Sequence, residues 1–429
     1  MVRRSLQSAR PIYSILLTPI ADESPSPSSV QSVNSMRSGL LLFAILSAGL
    51  ARGQEVAAPV NAPDAGDLLS GLAPAEYSGP RVWGSAEYLL WWCKPVCLKP
   101  GTLSIGNPAD AAPGAAGQPG TQVVLGEHKF EFSGLSGMRA TLGMWLSDDD
   151  SLGWESTGFL LEQGRASESF RTINGGPSTY IPFTAPNGED QALPFSVPGS
   201  VNGTSQGVGR SWLWGAETNL FTGITAERGR FFIRADLLAG VRYLDLRDKV
   251  DLANRLELVN DPGTWAVGAA NFTTHNQFYG GQMGARFNFE RGNWSLLYAG
   301  KLALGETHQV REVTGSPLLA SSGNNSLLPG PVLAEPSNVG RQVSSRITVI
   351  PEAQFKLRYR WSERLGISLG YSALYWNKVL CPGDQMDGRL NVTQLPGRGP
   401  ETGARFPAPL FVQTDYFAQG FDLGIEFRY

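Results

Sequence analysis

The stretch Gly366-Ile367-Ser368-Leu369-Gly370 has the G-x-S-x-G spacing of serine hydrolases, in which a sharp strand-to-helix turn presents a serine hydroxyl to a histidine base. Here Ile367, Leu369 and Tyr371 alternate with Ser368 at the period of a strand, which removes the turn that the chemistry needs. General bases are scarce, since His128, His275 and His308 are the whole supply. The acidic run Asp148-Asp149-Asp150 invites Asp/His hydrolysis. It falls in a short polar turn, however, whereas His275 and His308 belong to the opposite side of the pattern described below. Asp384, Gln385 and Asp387 offer oxygen ligands to a hard cation, but without a filled ligand set an acidic turn is the plainer reading. No catalytic residue, metal or cofactor is expected, and the chain reads as something other than an enzyme.

The composition bounds the elements that must position these residues. Of the 429 residues 17% are charged and 10% aromatic, with 51 Gly and 29 Pro, a mixture rich in turn formers and unsuited to long helices. A net charge of −3 gives no electrostatic attraction to nucleic acid, which is not an expected partner. Gly39 to Ala51 is apolar, too short for a spanning helix and right for the core of an export signal. We expect residues 1–35 to be an extension outside the true protein and 36–53 the signal peptide, cleaved before Gln54. Residues 54–81 read as an Ala- and Pro-rich periplasmic linker, and residues 82–429 as the folded part.

From Val82 onward, alternating stretches recur at 82–92, 136–147, 152–164, 211–224, 229–246, 276–290, 293–309, 346–361, 364–378 and 414–429. Tight polar turns (147–150, 226–229, 290–293, 361–364) alternate with long Gly-, Pro-, Asn- and Ser-rich connections at 93–135, 165–210, 247–275, 310–345 and 379–413. Short turns on one side and long loops on the other is the pattern of an outer-membrane barrel. Both termini then lie in the periplasm. Trp91, Trp92, Trp145, Trp212, Trp214, Trp294, Trp361, Tyr375 and Trp376 fall near strand ends, where aromatic girdles sit. The fold class expected is an all-β closed antiparallel transmembrane barrel of ten strands, with eight or twelve as alternatives because 128–134 and 248–258 could add a pair.

Several blocks in order, VWGSAEYLLWW (82–92), FSGLSGMRATLGMWL (132–146), LLAGVRYLDLRD (237–248), NQFYGGQMGARF (276–287), IPEAQFKLRY (350–359), LGYSALYWNKV (369–379), PGDQMD (382–387) and TDYFAQGFDLGIEFRY (414–429), resemble the bacterial outer-membrane proteins of beta-barrel protein family 7. The resemblance implies an outer-membrane barrel and supplies no catalytic or ligand residues to carry over. This chain departs from the family in having Cys381, where Arg usually precedes the Pro-Gly-Asp-Gln block, and in the segment Cys93-Lys94-Pro95-Val96-Cys97. With three cysteines and no adjacent His, a zinc site lacks ligands. A disulfide is expected instead, within Cys93–Cys97 or from that segment to Cys381, one thiol being left over.

Function follows from the lumen. Ten strands leave at most a narrow or loop-plugged path, since barrels of about eight strands are filled by their own side chains. The charges expected to face inward, and to set any solute preference, are Arg139, Arg234, Asp236, Arg286, Lys301, Glu352, Lys356, Arg358, Glu426 and Arg428. A porin-like or structural outer-membrane protein is the leading expectation, and binding or adhesion through five external loops the alternative. The solute or surface ligand is unknown. At the chain end Phe421, Leu423, Ile425, Phe427 and Tyr429 share one strand face. They are expected to face lipid and to be read by the outer-membrane barrel assembly machinery. A lysine at Ile425 should then impair insertion, whereas Glu426→Lys should be tolerated.

Overall fold

The structure, a computed structural model, describes residues 81–98, 101–126, 129–316, 319–320, 332–395 and 400–429. The extension, the signal segment, nearly all of the linker and His128 lie outside the described residues. Ten long strands form the wall: β1 (Val82–Cys93), β2 (Leu135–Trp145), β3 (Leu152–Leu161), β4 (Val201–Arg228), β5 (Phe231–Leu258), β6 (Trp265–Arg291), β7 (Trp294–Gly315), β8 (Gly340–Arg360), β9 (Leu365–Leu380) and β10 (Gln413–Arg428). Each is antiparallel to its sequence neighbour, and β1 also pairs with β10, Trp83 opposite Arg428 and Cys93 opposite Ala418, so the sheet closes on itself. Closure leaves no open edge whose backbone polar groups would face hydrocarbon unpaired. Residues 248–258 continue β5 and do not add a separate strand to the ring, while Gly164–Arg171 extends the wall beside β4.

Period-two alternation sorts the side chains. Outward positions are apolar around the ring, among them Leu237 at 67% exposure, Ile347 at 64% and Leu423 at 60%, while neighbours such as Asp236, Leu238, Thr348 and Asp422 turn inward and are buried. An exposed apolar band on a protein wall is stable where the solvent is lipid. β4, β5 and β6 run for 28, 28 and 27 residues, far beyond the roughly 9–11 that a tilted strand needs to cross a bilayer. They therefore project past the membrane as paired hairpins.

This corrects the reading of 247–275 as a loop: β5 and β6 stay in register from Phe232–Glu290 up to Glu257–Trp265, and only residues 259–264 connect them. Likewise 201–210 belongs to β4 and 340–345 to β8. Four long connections remain, at 94–134, 162–200, 316–339 and 381–412, all at the end opposite the turns 146–151, 229–230, 292–293 and 361–364. Their described parts pack with the hairpins. A small sheet orders 190–196, 179–184, 103–105 and 122–125 side by side. Phe130, Ile181, Phe183, Leu193, Met386 and Leu390 pack in one core with Leu252, Ala270, Phe272 and Val313 of β5, β6 and β7. We call this assembly the cap.

Candidate functional site

The interior of the ring is stacked in layers. Nearest the short turns, Trp83, Trp145, Phe221 and Leu238 pack together, with the Arg234 guanidinium 4.3 Å from the Trp145 ring and that of Arg286 4.6 Å from Phe221. Beside them Arg286 donates to Asp236 at 2.9 Å and to Glu155 at 3.0 Å, and Arg234 donates to Asp236 at 2.7 Å. Glu426 holds Arg428 at 2.8 Å and Arg358 at 3.2 Å. Further in, Arg139 reaches Glu87 at 3.0 Å and Asp422 at 3.2 Å, and Lys356 also donates to Glu87. Across the lumen Arg242 pairs with Glu352, and Lys301 with Glu217.

Every charge named from the sequence as inward thus sits in an ion pair inside the ring. Glu87, Glu155, Glu217, Arg242 and Asp422 complete these pairs and were missed, although each falls on the inward parity of its strand. Pairing balances all but one of these charges, Arg358 and Arg428 sharing the one carboxylate of Glu426. A charge buried in low dielectric persists only with a partner, and these side chains supply one another's. Next to them lies a cavity of about 70 Å³, room for a few waters, lined by Arg242 and Glu217, of which Arg242 Nε and Nη1 and Glu217 Oε2 make no protein hydrogen bond.

Beyond the ion pairs an apolar cluster occupies the lumen. Leu89, Trp91, Leu161, Leu213, Leu244, Phe278, Ile350, Leu374 and Trp376, from seven of the strands, are each at most 1% exposed and form one cluster. The two indoles are satisfied, Trp91 by Asp422 at 2.9 Å and Trp376 by Thr307 at 3.0 Å. Trp91 and Trp376 are therefore plugs inside the barrel and not girdle residues, and Trp145 likewise turns inward. Adjacent residues in a strand face opposite ways, so of the pair Trp91-Trp92 one had to enter the lumen; Trp92, at 42% exposure, stays outside. The cap core closes the same end above this layer.

The family model described as "Putative beta barrel porin-7 (BBP7)" matches residues 83–429. The chain belongs to this family. It is a porin-like barrel of the bacterial outer membrane. Nothing matches among curated proteins. Among solved structures it is similar to the outer membrane protease OmpT from Escherichia coli, with 9% identity, coverage of 83% of this chain and 99% of that one, and a TM-score of 0.40. It is also similar to a Pseudomonas aeruginosa FadL homologue (7% identity, 82% and 90% covered, TM-score 0.20) and to the Ralstonia pickettii toluene transporter TbuX (8% identity, 82% and 90% covered, TM-score 0.19).

The remaining candidates of this BBP7 chain are scattered. Ser368 lies within β9, buried on the inner face, with no turn beside it. Asp148 pairs with Arg81 at 2.7 Å and Asp149 accepts from Ser151, both in the short turn after β2. His275 Nε2 lies 2.8 Å from Asp245 on the outer face of the wall, where Tyr243, Arg247 and Gln277 also reach the same carboxylate. Sequence reading overlooked that cluster because Asp245 was read as strand and His275 as loop. In the cap Asp387 is clamped by Arg389 at 2.9 Å and by the Ala408 amide at 2.8 Å, while Gln385 bridges Cys381 and Val412. These groups staple a turn. The three cysteines are unbonded in this structure. Tyr416 lies beside the Cys93 thiol and Cys381 beside that of Cys97.

Proposed function

We propose that this BBP7 barrel does not conduct solutes in its resting state and serves as a membrane-anchored frame for its cap, which meets ligands at the cell surface. The apolar layer around Trp91, Phe278 and Trp376 carries this reading. A hydrated solute would have to displace it, at a cost of about 1.5–3 kcal/mol for each large side chain exposed to water. The lumen charges support the same conclusion, since each is engaged in an ion pair within the ring. The orientation follows from barrels in general: short turns and both termini in the periplasm, long connections and cap outside. Outer-membrane lipid contacts the apolar band, and the assembly machinery reads the outward face Phe421, Leu423, Ile425, Phe427 and Tyr429.

The reading is also non-catalytic, because Ser368, the Asp148–Asp150 turn and the Asp245–His275 pair occupy three separate places. A second reading, a narrow gated path, draws on the cavity at Arg242 and Glu217, which would hydrate the lumen up to the apolar layer. Swelling of protein-loaded liposomes in isosmotic small sugars separates the two. The frame predicts no swelling above protein-free liposomes, and swelling that falls with sugar size would favour the path.

A further inference from the structure

The thiols of Cys97 and Cys381 lie beside each other, although nearly the whole barrel separates them in sequence. Cys381 follows β9 directly and is buried, and Cys97 lies in the short bridge Val96–Cys97 that pairs with Lys129–Phe130. The backbones are pressed together at this point. A Cβ on Gly383 would lie 2.0 Å from the Cys97 carbonyl oxygen and 3.1 Å from the Cys97 Cβ, so the 381–385 turn approaches this closely only because residue 383 is glycine. Gln385 fixes the turn by donating to the carbonyls of Cys381 at 3.1 Å and Val412 at 2.8 Å. Cys93 is excluded from the pair. It ends β1 opposite Ala418, with Tyr416 beside its thiol.

We propose that Cys97 and Cys381 are the site of an oxidative modification: on export they form a disulfide that ties the first long connection to the last, while Cys93 remains a thiol. The oxidant is the disulfide of a periplasmic thiol oxidoreductase. The Cys97 thiolate attacks one of its sulfurs to give a mixed disulfide, and the Cys381 thiolate then displaces the oxidant. The Cys97–Cys381 bond forms, two electrons pass to the oxidant, and the two thiol protons end on its dithiol. The pair is poised for this order, since the adjacent Cys381 holds the Cys97 thiol down at about 6 while the Cys381 thiol is raised. Only the attacking sulfur needs to be a thiolate at the start. The bond pins the turn that carries Met386 and Leu390 into the cap core.

Thiol counting tests this independently of conductance. Protein extracted from outer membranes is denatured with a maleimide and no reductant, and its mass is measured. One alkylated cysteine is expected in the wild type, none in Cys93→Ser and two in Cys381→Ser. A wild type with every cysteine alkylated overturns the proposal. So does Cys381→Ser with none alkylated, because that result assigns the bond to Cys93 and Cys97. If Cys381→Ser fails to reach the membrane, Cys93→Ser decides: no alkylation supports the pair and two alkylated thiols refute it.

Discussion

Trp91 of the first strand donates its indole N–H to the carboxylate of Asp422 on the last strand at 2.9 Å, and the same carboxylate accepts from Arg139 at 3.2 Å. The contact lies on the seam that closes the ring, at the boundary between the ion pairs and the apolar layer. Barrel closure and lumen closure therefore share residues. Arg139→Ala should leave Asp422 buried without its cation, Glu87 keeping Lys356, a loss of about 3–5 kcal/mol. Thermal loss of heat-modifiable gel mobility should move to lower temperature, and a transition equal to that of the wild type would show that the seam does not depend on the pair.

The outward end of β10 leads to a second expectation, partly different from the one drawn from the sequence. Ile425 is outward and flanked by Leu423 and Phe427, so Ile425→Lys should impair insertion by about 2–4 kcal/mol if it lies near the bilayer midplane. Glu426→Lys, which parity alone marks as harmless, should also be damaging. It would set a lysine against Arg358 and Arg428, whose shared carboxylate Glu426 now supplies. Glu426→Gln is the milder change. Surface proteolysis of cells expressing each variant ranks them, and full assembly of Ile425→Lys would contradict the lipid-facing placement.

Such differences mark how far the sequence was legible. Ten strands, their turns and the inward parity of Arg139, Lys356 and Glu426 follow from alternation, which any half-buried strand must show. Partners do not follow, because Glu87, Arg139 and Asp422 meet through barrel stagger and closure, with no local signal. The hairpin from Lys249 to Thr273 escaped because, beyond the bilayer, its outer face carries Lys249, Asp251 and Asn271 and lacks the lipid-facing pattern. Trp91 and Trp376 were misplaced because an aromatic at a strand end serves a girdle or a plug equally well.

Gly383 gives a third test. Gly383→Ala should push the 381–385 turn off the Cys97 carbonyl and loosen the cap, making Met386 and Leu390 accessible. Limited proteolysis should cut within 381–412 in the variant at protease levels that leave the wild type intact. Equal resistance would mean that the turn accommodates a methyl group without moving.

Cap docking should also depend on pH. Burial raises the Glu335 carboxyl to about 7 from its ordinary 4.5, so the folded cap favours the protonated acid. Its contribution is complete below pH 4.5 and is lost as pH rises through 7. Hydrogen exchange in residues 332–339, corrected for the intrinsic pH dependence of exchange, should show protection falling between pH 5 and pH 8, within roughly the window set by these two values. Glu335→Gln should flatten the profile, and an unchanged slope in that variant would assign the effect to another group.

The closed lumen itself is tested by planar-bilayer recording on wild-type protein whose insertion is established by vesicle flotation and heat-modifiable mobility. With Trp91, Phe278 and Trp376 filling the barrel, the membrane current should stay at the level of the bare bilayer, without unitary steps. Regular ohmic steps from the wild type at low voltage would show a continuous water path through that layer and contradict the closed barrel.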